Sequence, residues 1–286
     1  MKYIDMLYYR IGNTGEIMAG PVLNLLFFGD VVGKGGRRAV AAITPQLRQK
    51  YNCQFVIANA ENSACGAGLT QSSLKEMPGV DVYTAGDHVW DRKEFEQEIN
   101  GIKNVIRPAN LAKCQPGKGW DYFRNPVGGD VAVISLMGKV FMKDSAYCPF
   151  ETVEEILKQI PITVKCIIVD FHAEATSEKL AMAHFLNGKV TAVLGTHTHV
   201  QTADARILSG GTAAITDVGM VGGNESILGR SCEDVLRKFR TGMPCKLAVV
   251  EENIRCDAVV VSYEMNTGKA VSITPLSIMF DPDKEI

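Results

Sequence analysis

The chain has 286 residues, a net charge of −2 and 46% hydrophobic residues. That is enough apolar material for a large core, and the near-neutral balance argues against a protein drawn to nucleic acid or membranes by its overall charge. The eight cysteines are scattered, with no C-x-x-C pair. This argues against a zinc ribbon or thioredoxin-like site. With no secretory signal and no apolar run near the ~20 residues of a membrane span, the cysteines read as the reduced thiols of a cytoplasmic protein.

Residues 1–21 lack a sustained apolar stretch and read as a flexible N-terminal extension, or as sequence upstream of an alternative start at Met18. Residues 22–286 read as one domain, with no repeat or linker-like break. Residues 22–28 form a nearly continuous apolar run, the pattern of a strand buried on both faces, which ends in Gly29-Asp30. The following glycine-rich stretch fails the phosphate-loop test. A phosphate loop needs Gly, four residues, then Gly-Lys-Ser/Thr, whereas only three residues separate Gly29 from Gly33 and Lys34 precedes Gly35. The glycines are expected to turn the backbone past Asp30. A helix follows over 37–50, with Val40, Ile43 and Leu47 on one face.

A second strand over 54–60 ends in Glu61-Asn62. A short helix over 70–77 stops at Pro78-Gly79. A third strand over 80–85 ends in Gly86-Asp87-His88, and Asp91 is expected to cap a helix through Ile99. A strand over 131–136 precedes an aromatic loop, 140–150, expected to wall a cleft, and a helix over 152–159. The buried strand 164–170 ends in Phe171-His172-Ala173-Glu174. A helix over 177–186 contains His184, read as structural because it lies two turns from the strand end.

The apolar run beginning at Val190 is expected to break at Gly195. His197 and His199 follow at i, i+2, a spacing that points both imidazoles to one side of an extended chain. A strand over 212–217 and a helix over 231–240 come next. The stretches 247–251, 258–263 and 271–273 alternate like antiparallel strands, with Asn266-Thr267-Gly268 as a turn.

One arrangement recurs: a strand ends, and metal-competent side chains sit at its end. A βαβ series sets its strand C-termini along one edge, so these groups are expected to converge. Mixed imidazole, carboxylate and amide ligands suit manganese, iron, zinc or similar ions. They outnumber the ligands of one tetrahedral zinc and suffice for two ions sharing a carboxylate, an arrangement that serves phosphoester hydrolysis. A single Asp after a strand is usually a turn former, but five successive hits are hard to obtain by accident.

Gly29-Asp30, Asn59-Ala-Glu-Asn62, Gly86-Asp-His-Val-Trp-Asp91, Arg107-Pro-Ala-Asn110, the segment from Asp170 to Lys179 and the segment from Gly195 to Asp204 resemble the YmdB-type branch of the calcineurin-like metallophosphoesterases. The match runs from about Leu25 to about Thr274, and the segments around His172 and His197 are its most specific parts. The resemblance implies an α/β fold, a four-layer αββα sandwich of two mixed sheets flanked by helices. It implies a two-metal phosphodiesterase of 2′,3′-cyclic nucleotides, with iron or manganese as the ions and zinc or magnesium as alternatives. Asp30, Glu61, Asn62 and His199 would hold one ion; Glu61, Asp87, His172 and His197 the other, with Glu61 shared. His88 would be the acid serving the leaving oxygen, and a metal-bound hydroxide the nucleophile. Where the family usually has Asn, this chain has Asp87, which adds a negative charge at one ion. The implied partner is a small phosphoester rather than a membrane or nucleic acid, and a homo-oligomer is compatible with it. A phosphomonoesterase or nucleotidase, and a regulatory RNA-associated protein with a weakly active metal site, are the competing readings. No residue is assigned to substrate binding.

Overall fold

The structure, a computed structural model, describes residues 20–142 and 146–281. The expected N-terminal extension lies outside these residues except for Gly20 and Pro21, as does the centre of the 140–150 loop. In chain order the strands are β1 (Val22–Val31), β2 (Cys53–Asn59), β3 (Val82–Thr84), β4 (Val105–Ile106), β5 (Trp120–Phe123), β6 (Val131–Met137), β7 (Cys166–His172), β8 (Ala192–Thr196), β9 (Arg206–Ile207), β10 (Ala213–Ile215), β11 (Met220–Gly223), β12 (Ile254–Glu264) and β13 (Ala270–Phe280). The helices are α1 (Gly33–Lys50), α2 (Gln71–Lys75), α3 (Phe95–Glu98), α4 (Pro149–Leu157), α5 (Thr176–Phe185) and α6 (Cys232–Thr241).

The strands form two mixed sheets. The seven-stranded sheet runs β13-β12-β11-β1-β2-β3-β4, and the six-stranded sheet runs β5-β6-β7-β8-β10-β9. Strand periodicity explains how they stack. Successive side chains point to opposite faces, so a strand covered on both sides must be apolar at nearly every position. In β1, Leu25 and Phe27 enter the core between the sheets, where they meet Val131 and Val133 of β6, Ile168 of β7 and Leu194 of β8. The alternate residues Leu26 and Phe28 face α1, packing with Val40, Ile43 and Leu47. On the other flank, Ile134, Val169 and Phe171 pack against α4 and α5 through Val153, Ile156 and Met182. The result is the αββα sandwich, with β1–β4 parallel in one sheet and β6, β7, β8 and β10 parallel in the other.

The short strands β4, β5, β9 and β11, of two to four residues, left no periodic signal. The glycines after Asp30 do not form a separate turn; they begin α1, where Gly36 backs onto the Val221 carbonyl. Asp91 caps no helix, because α3 starts at Phe95. Residues 247–251 form no strand; Val249 makes only an isolated bridge to Arg230. Among the described residues no helix is long and apolar enough to cross a membrane.

Gly195 continues β8 instead of ending it. A Cβ there would stand 1.9 Å from the Thr216 carbonyl oxygen, so glycine is needed for the close approach of two chains. Gly195→Ala forces backbone apart, and overpacking of this kind typically costs 1–3 kcal/mol. Its expected outcome is a loss of about 2–3 kcal/mol, read as a lower urea midpoint at unchanged slope. An unchanged midpoint would show that this edge of the sheet can spread without strain.

Candidate metal centre

The parallel strands of both sheets end at one edge. Asp30 is the penultimate residue of β1, Glu61 and Asn62 follow β2, and Asp87 and His88 follow β3. From the second sheet come His172, the last residue of β7, and His197 and His199, just beyond β8. The seven expected ligand residues are brought together across the two sheets, with His88 on the rim. His184 is exposed on α5, away from them.

Glu61, Asp87, His172 and His197 each present a ligand-type atom, all within 4.8 Å of one another. His172 Nε2 lies 2.9 Å from Asp87 Oδ1 and 3.2 Å from Glu61 Oε1. His197 Nδ1 is 2.9 Å from the same His172 nitrogen and 3.4 Å from Asp87 Oδ1. Beside this group, Asn62 Nδ2 is 3.2 Å from His199 Nε2 and donates to Glu61 Oε1 at 3.0 Å. Asp30 Oδ1 is 3.8 Å from both His172 and His199. Gly86 leaves room for the cluster, since a Cβ there would strike Glu61 Oε2 and the His172 ring.

The backbone at the two histidines departs from the extended i, i+2 arrangement. His197 and His199 have φ of 98° and 62°, left-handed conformations that cost on the order of 1–3 kcal/mol each in a non-glycine residue. Asp217 holds the turn between them. Its Oδ2 accepts from Thr198 N (3.0 Å), Thr198 Oγ1 (2.7 Å) and the buried Lys179 ammonium (2.9 Å). The His197 amide also donates to Asp30 Oδ2 at 3.0 Å.

Neighbouring polar groups fix each ring. Thr196 Oγ1 donates to Asp170 Oδ1 at 2.7 Å, so its lone pairs take the His172 Nδ1 proton at 2.9 Å and leave Nε2 for the cluster. Glu174 Oε2 lies 3.1 Å from His197 Nε2 and turns Nδ1 inward in the same way. Asp91 Oδ2 is 2.8 Å from His88 Nδ1, leaving Nε2 as the atom open to the cleft. Asp91, Asp170, Glu174 and Asp217 received no site role from the sequence. The i, i+3 spacing of His88 and Asp91 was a usable signal, as was the strand-end position of Asp217. The described residues of the 140–150 loop do not line the cleft.

The charges suit cations. Burial holds the Asp30 carboxyl well above the usual range, against the pull of His172. Burial also raises Asp87 and Glu61, but their imidazole neighbours outweigh it and hold both below the ordinary carboxylate range. Burial pushes His199 down to about 4, a neutral ring. Asp30 Oδ1 is buried with no hydrogen-bond partner, and unsatisfied buried polar atoms of this kind call for a missing partner. Three carboxylates, one of them with an orphaned oxygen, and three imidazoles form a donor set that divalent cations fit.

A four-layer sandwich with such a cluster at its strand ends is the metallophosphoesterase architecture. The chain belongs to the YmdB-like protein family, whose pattern matches residues 26–276. It is 42% identical over 261 residues to the 2′,3′-cyclic-nucleotide 2′-phosphodiesterase of Bacillus subtilis (strain 168), covering 91% of this chain and 98% of that protein. It is 36% identical over 273 residues to a putative phosphatase/phosphodiesterase of Mycoplasma genitalium, covering 92% and 95%. Among solved structures, a hypothetical protein from Thermus thermophilus superposes with a TM-score of 0.84 at 38% identity, covering 91% of this chain and all of that one. A structure described as a novel phosphatase of Mycoplasma pneumoniae gives 0.85 at 33% identity, covering 92% and 96%.

A cation that binds the folded state alone stabilises it by mass action, about 2.7 kcal/mol at 100 times Kd. Adding Mn²⁺ to metal-free protein is therefore expected to raise Tm by about 5 °C or more. Asp30→Asn removes a carboxyl whose ionised form is disfavoured by burial and should raise the metal-free Tm while shrinking that gain. Equal gains in wild type and variant would remove Asp30 from the donor set.

Proposed function

We propose that the protein is a binuclear metal-dependent phosphodiesterase acting on small phosphoesters, with 2′,3′-cyclic nucleotides as its substrates. The observation that carries this reading is the convergence of three carboxylates and three imidazoles, from both sheets, around the unpartnered Asp30 oxygen. Likeness to a relative described as a 2′,3′-cyclic-nucleotide 2′-phosphodiesterase supports it. The cytoplasm is the location that goes with such a substrate.

Asp30, Asn62 and His199 would hold the first cation and Asp87, His172 and His197 the second, with Glu61 able to serve both. Iron or manganese suits the mixed oxygen and nitrogen donors, with zinc or magnesium as alternatives. Such ions supply Lewis acidity at the phosphoryl oxygens and make water acidic enough to attack near neutral pH. The remaining work falls to the chain. Thr196 and Glu174 keep the lone pairs of His172 and His197 pointing inward. Asp87 brings a full negative charge to its ion, which tightens the hold on it and reduces its pull on substrate electrons. Asp91 orients His88, so Nε2 delivers a proton to the leaving oxygen.

The test is turnover with added Mn²⁺ on cyclic nucleotides, bis-p-nitrophenyl phosphate and p-nitrophenyl phosphate, together with elemental analysis. Two ions per chain and preference for the diesters are expected. Preference for the monoester would make the protein a phosphomonoesterase. No turnover with the ions bound would leave a regulatory metal protein.

His88→Ala is expected to lower kcat by roughly 10²–10⁴, the contribution of a positioned acid, with metal content unchanged. His184→Ala, on the exposed face of α5, is the control and should keep activity. Loss of metal from His88→Ala would reassign His88 as a ligand.

A further inference from the structure

The cleft that holds the cluster encloses about 350 Å³, the size of a small-ligand site. Its lining also includes Gly66, Leu228 and Arg230, none of which belongs to the metal-holding set. Leu228 and Gly229 are the central residues of a two-residue turn. Ile227 N donates to Arg230 O at 2.9 Å, and Arg230 N donates to Ile227 O at 3.0 Å. Both central residues have positive φ, 52° and 85°, the signs of a type I′ turn, which favours Asn-Gly and disfavours a bulky first residue. A leucine is nevertheless placed there, half-exposed, with its side chain on the cleft. Strained positions of this sort cluster where a side chain must be presented.

Arg230 is fixed beside it. Its Nη1 donates to the carbonyls of Cys65 (3.4 Å) and Leu247 (3.3 Å), and its Nη2 to that of Gly66. The guanidinium carbon lies 2.7 Å from where a Gly66 Cβ would stand, so the group packs against bare backbone. An immobilised guanidinium and a half-exposed branched apolar side chain thus line the same cleft as the metal-competent cluster. Guanidinium planes and apolar side chains pack on the faces of aromatic rings, and such contacts are tolerant of which base is stacked.

The geometry points to a base subsite. Leu228 and the Arg230 guanidinium form the surface on which the planar base of a mononucleotide rests, while its phosphate faces the cluster. This assignment rests on the phosphodiesterase reading above. It makes Leu228 and Arg230 specificity residues for nucleotides over base-free phosphoesters.

Binding and turnover separate the two readings. The Mn²⁺-loaded full chain is titrated with adenosine 3′-monophosphate and with its base-free counterpart, methyl ribofuranoside 3-phosphate. Wild type should bind the nucleotide about tenfold more tightly. Leu228→Asn and Leu228→Gly suit the turn backbone better than leucine does, so a purely structural role for Leu228 predicts unchanged or improved behaviour. A base contact predicts instead about a fivefold loss on the nucleotide, with no change on the riboside. Arg230→Lys keeps the charge but loses the plane and should show the same split. In wild type loaded with diamagnetic Zn²⁺ or Mg²⁺, nuclear Overhauser contacts from the adenine protons to the Leu228 methyls are expected, a readout that needs no variant. Equal wild-type affinity for the two ligands, absent contacts to Leu228, or parallel loss of both ligands in the variants would overturn the subsite. If wild type hydrolyses no cyclic nucleotide while this binding pattern holds, the catalytic reading fails and the subsite stands.

Discussion

The site depends on a carboxylate that none of its proposed metal-holding residues supplies. Asp170 lies inside β7, fully buried between the sheets. Burial raises its pKa, against the pull of His172 and three hydrogen bonds. Its Oδ2 accepts from Asn59 Nδ2 at 3.0 Å and from Thr84 Oγ1, both in the seven-stranded sheet, and its Oδ1 accepts from Thr196 in β8. Two of these donors act onward. Thr196 orients His172, while Asn59 Oδ1 takes the Glu61 amide at 3.1 Å. One buried oxygen pair therefore sets a candidate ligand from each sheet. An apolar interface lets sheets slide; a fully satisfied polar network within it does not.

Around that rigid frame the cluster is assembled at some expense to the metal-free fold. Two histidines sit in left-handed backbone, and three carboxylates are withdrawn from water within a few ångströms of one another. Both features lower stability, and both are tolerated because firm neighbours over-determine them. The Asp217–Lys179 pair is buried and grips Thr198 between the strained residues. Glu174 and Asp91 reach their histidines from the more exposed side. Sites made this way trade folding free energy for geometry.

The layers were legible because burial on both faces writes a continuous apolar run, as in residues 22–28 and 164–170, and βαβ order then aligns the strand ends. The convergence of Asp30, Glu61, Asp87, His172, His197 and His199 followed from that order alone. What stayed hidden was set by distant partners. Gly195 looks like a break until the Thr216 carbonyl is seen pressed against it. The two histidines look extended until Asp217 is seen holding the turn between them. Asp91 resembles a helix cap, since nothing local shows that its oxygen faces His88. Asp170 reads as an ordinary strand-end acid because its donors lie some 25 to 110 residues away in sequence. Strands as short as β4 and β9 carry too few residues to show any period.

The dispersal of the cluster along the chain has a kinetic consequence. Its members run from Asp30 to His199 in two blocks, the first four from the seven-stranded sheet and the last three from the six-stranded one, each sheet built largely of parallel pairs whose partners are remote in sequence. Contacts of this kind are closed late, after long loops have been ordered. No fragment of the growing chain short of β8 holds the whole set, and before the sheets dock the carboxylates of one sheet and the imidazoles of the other do not face a common point. The cluster is thus a product of completed folding: its geometry exists only once both sheets are built and packed together.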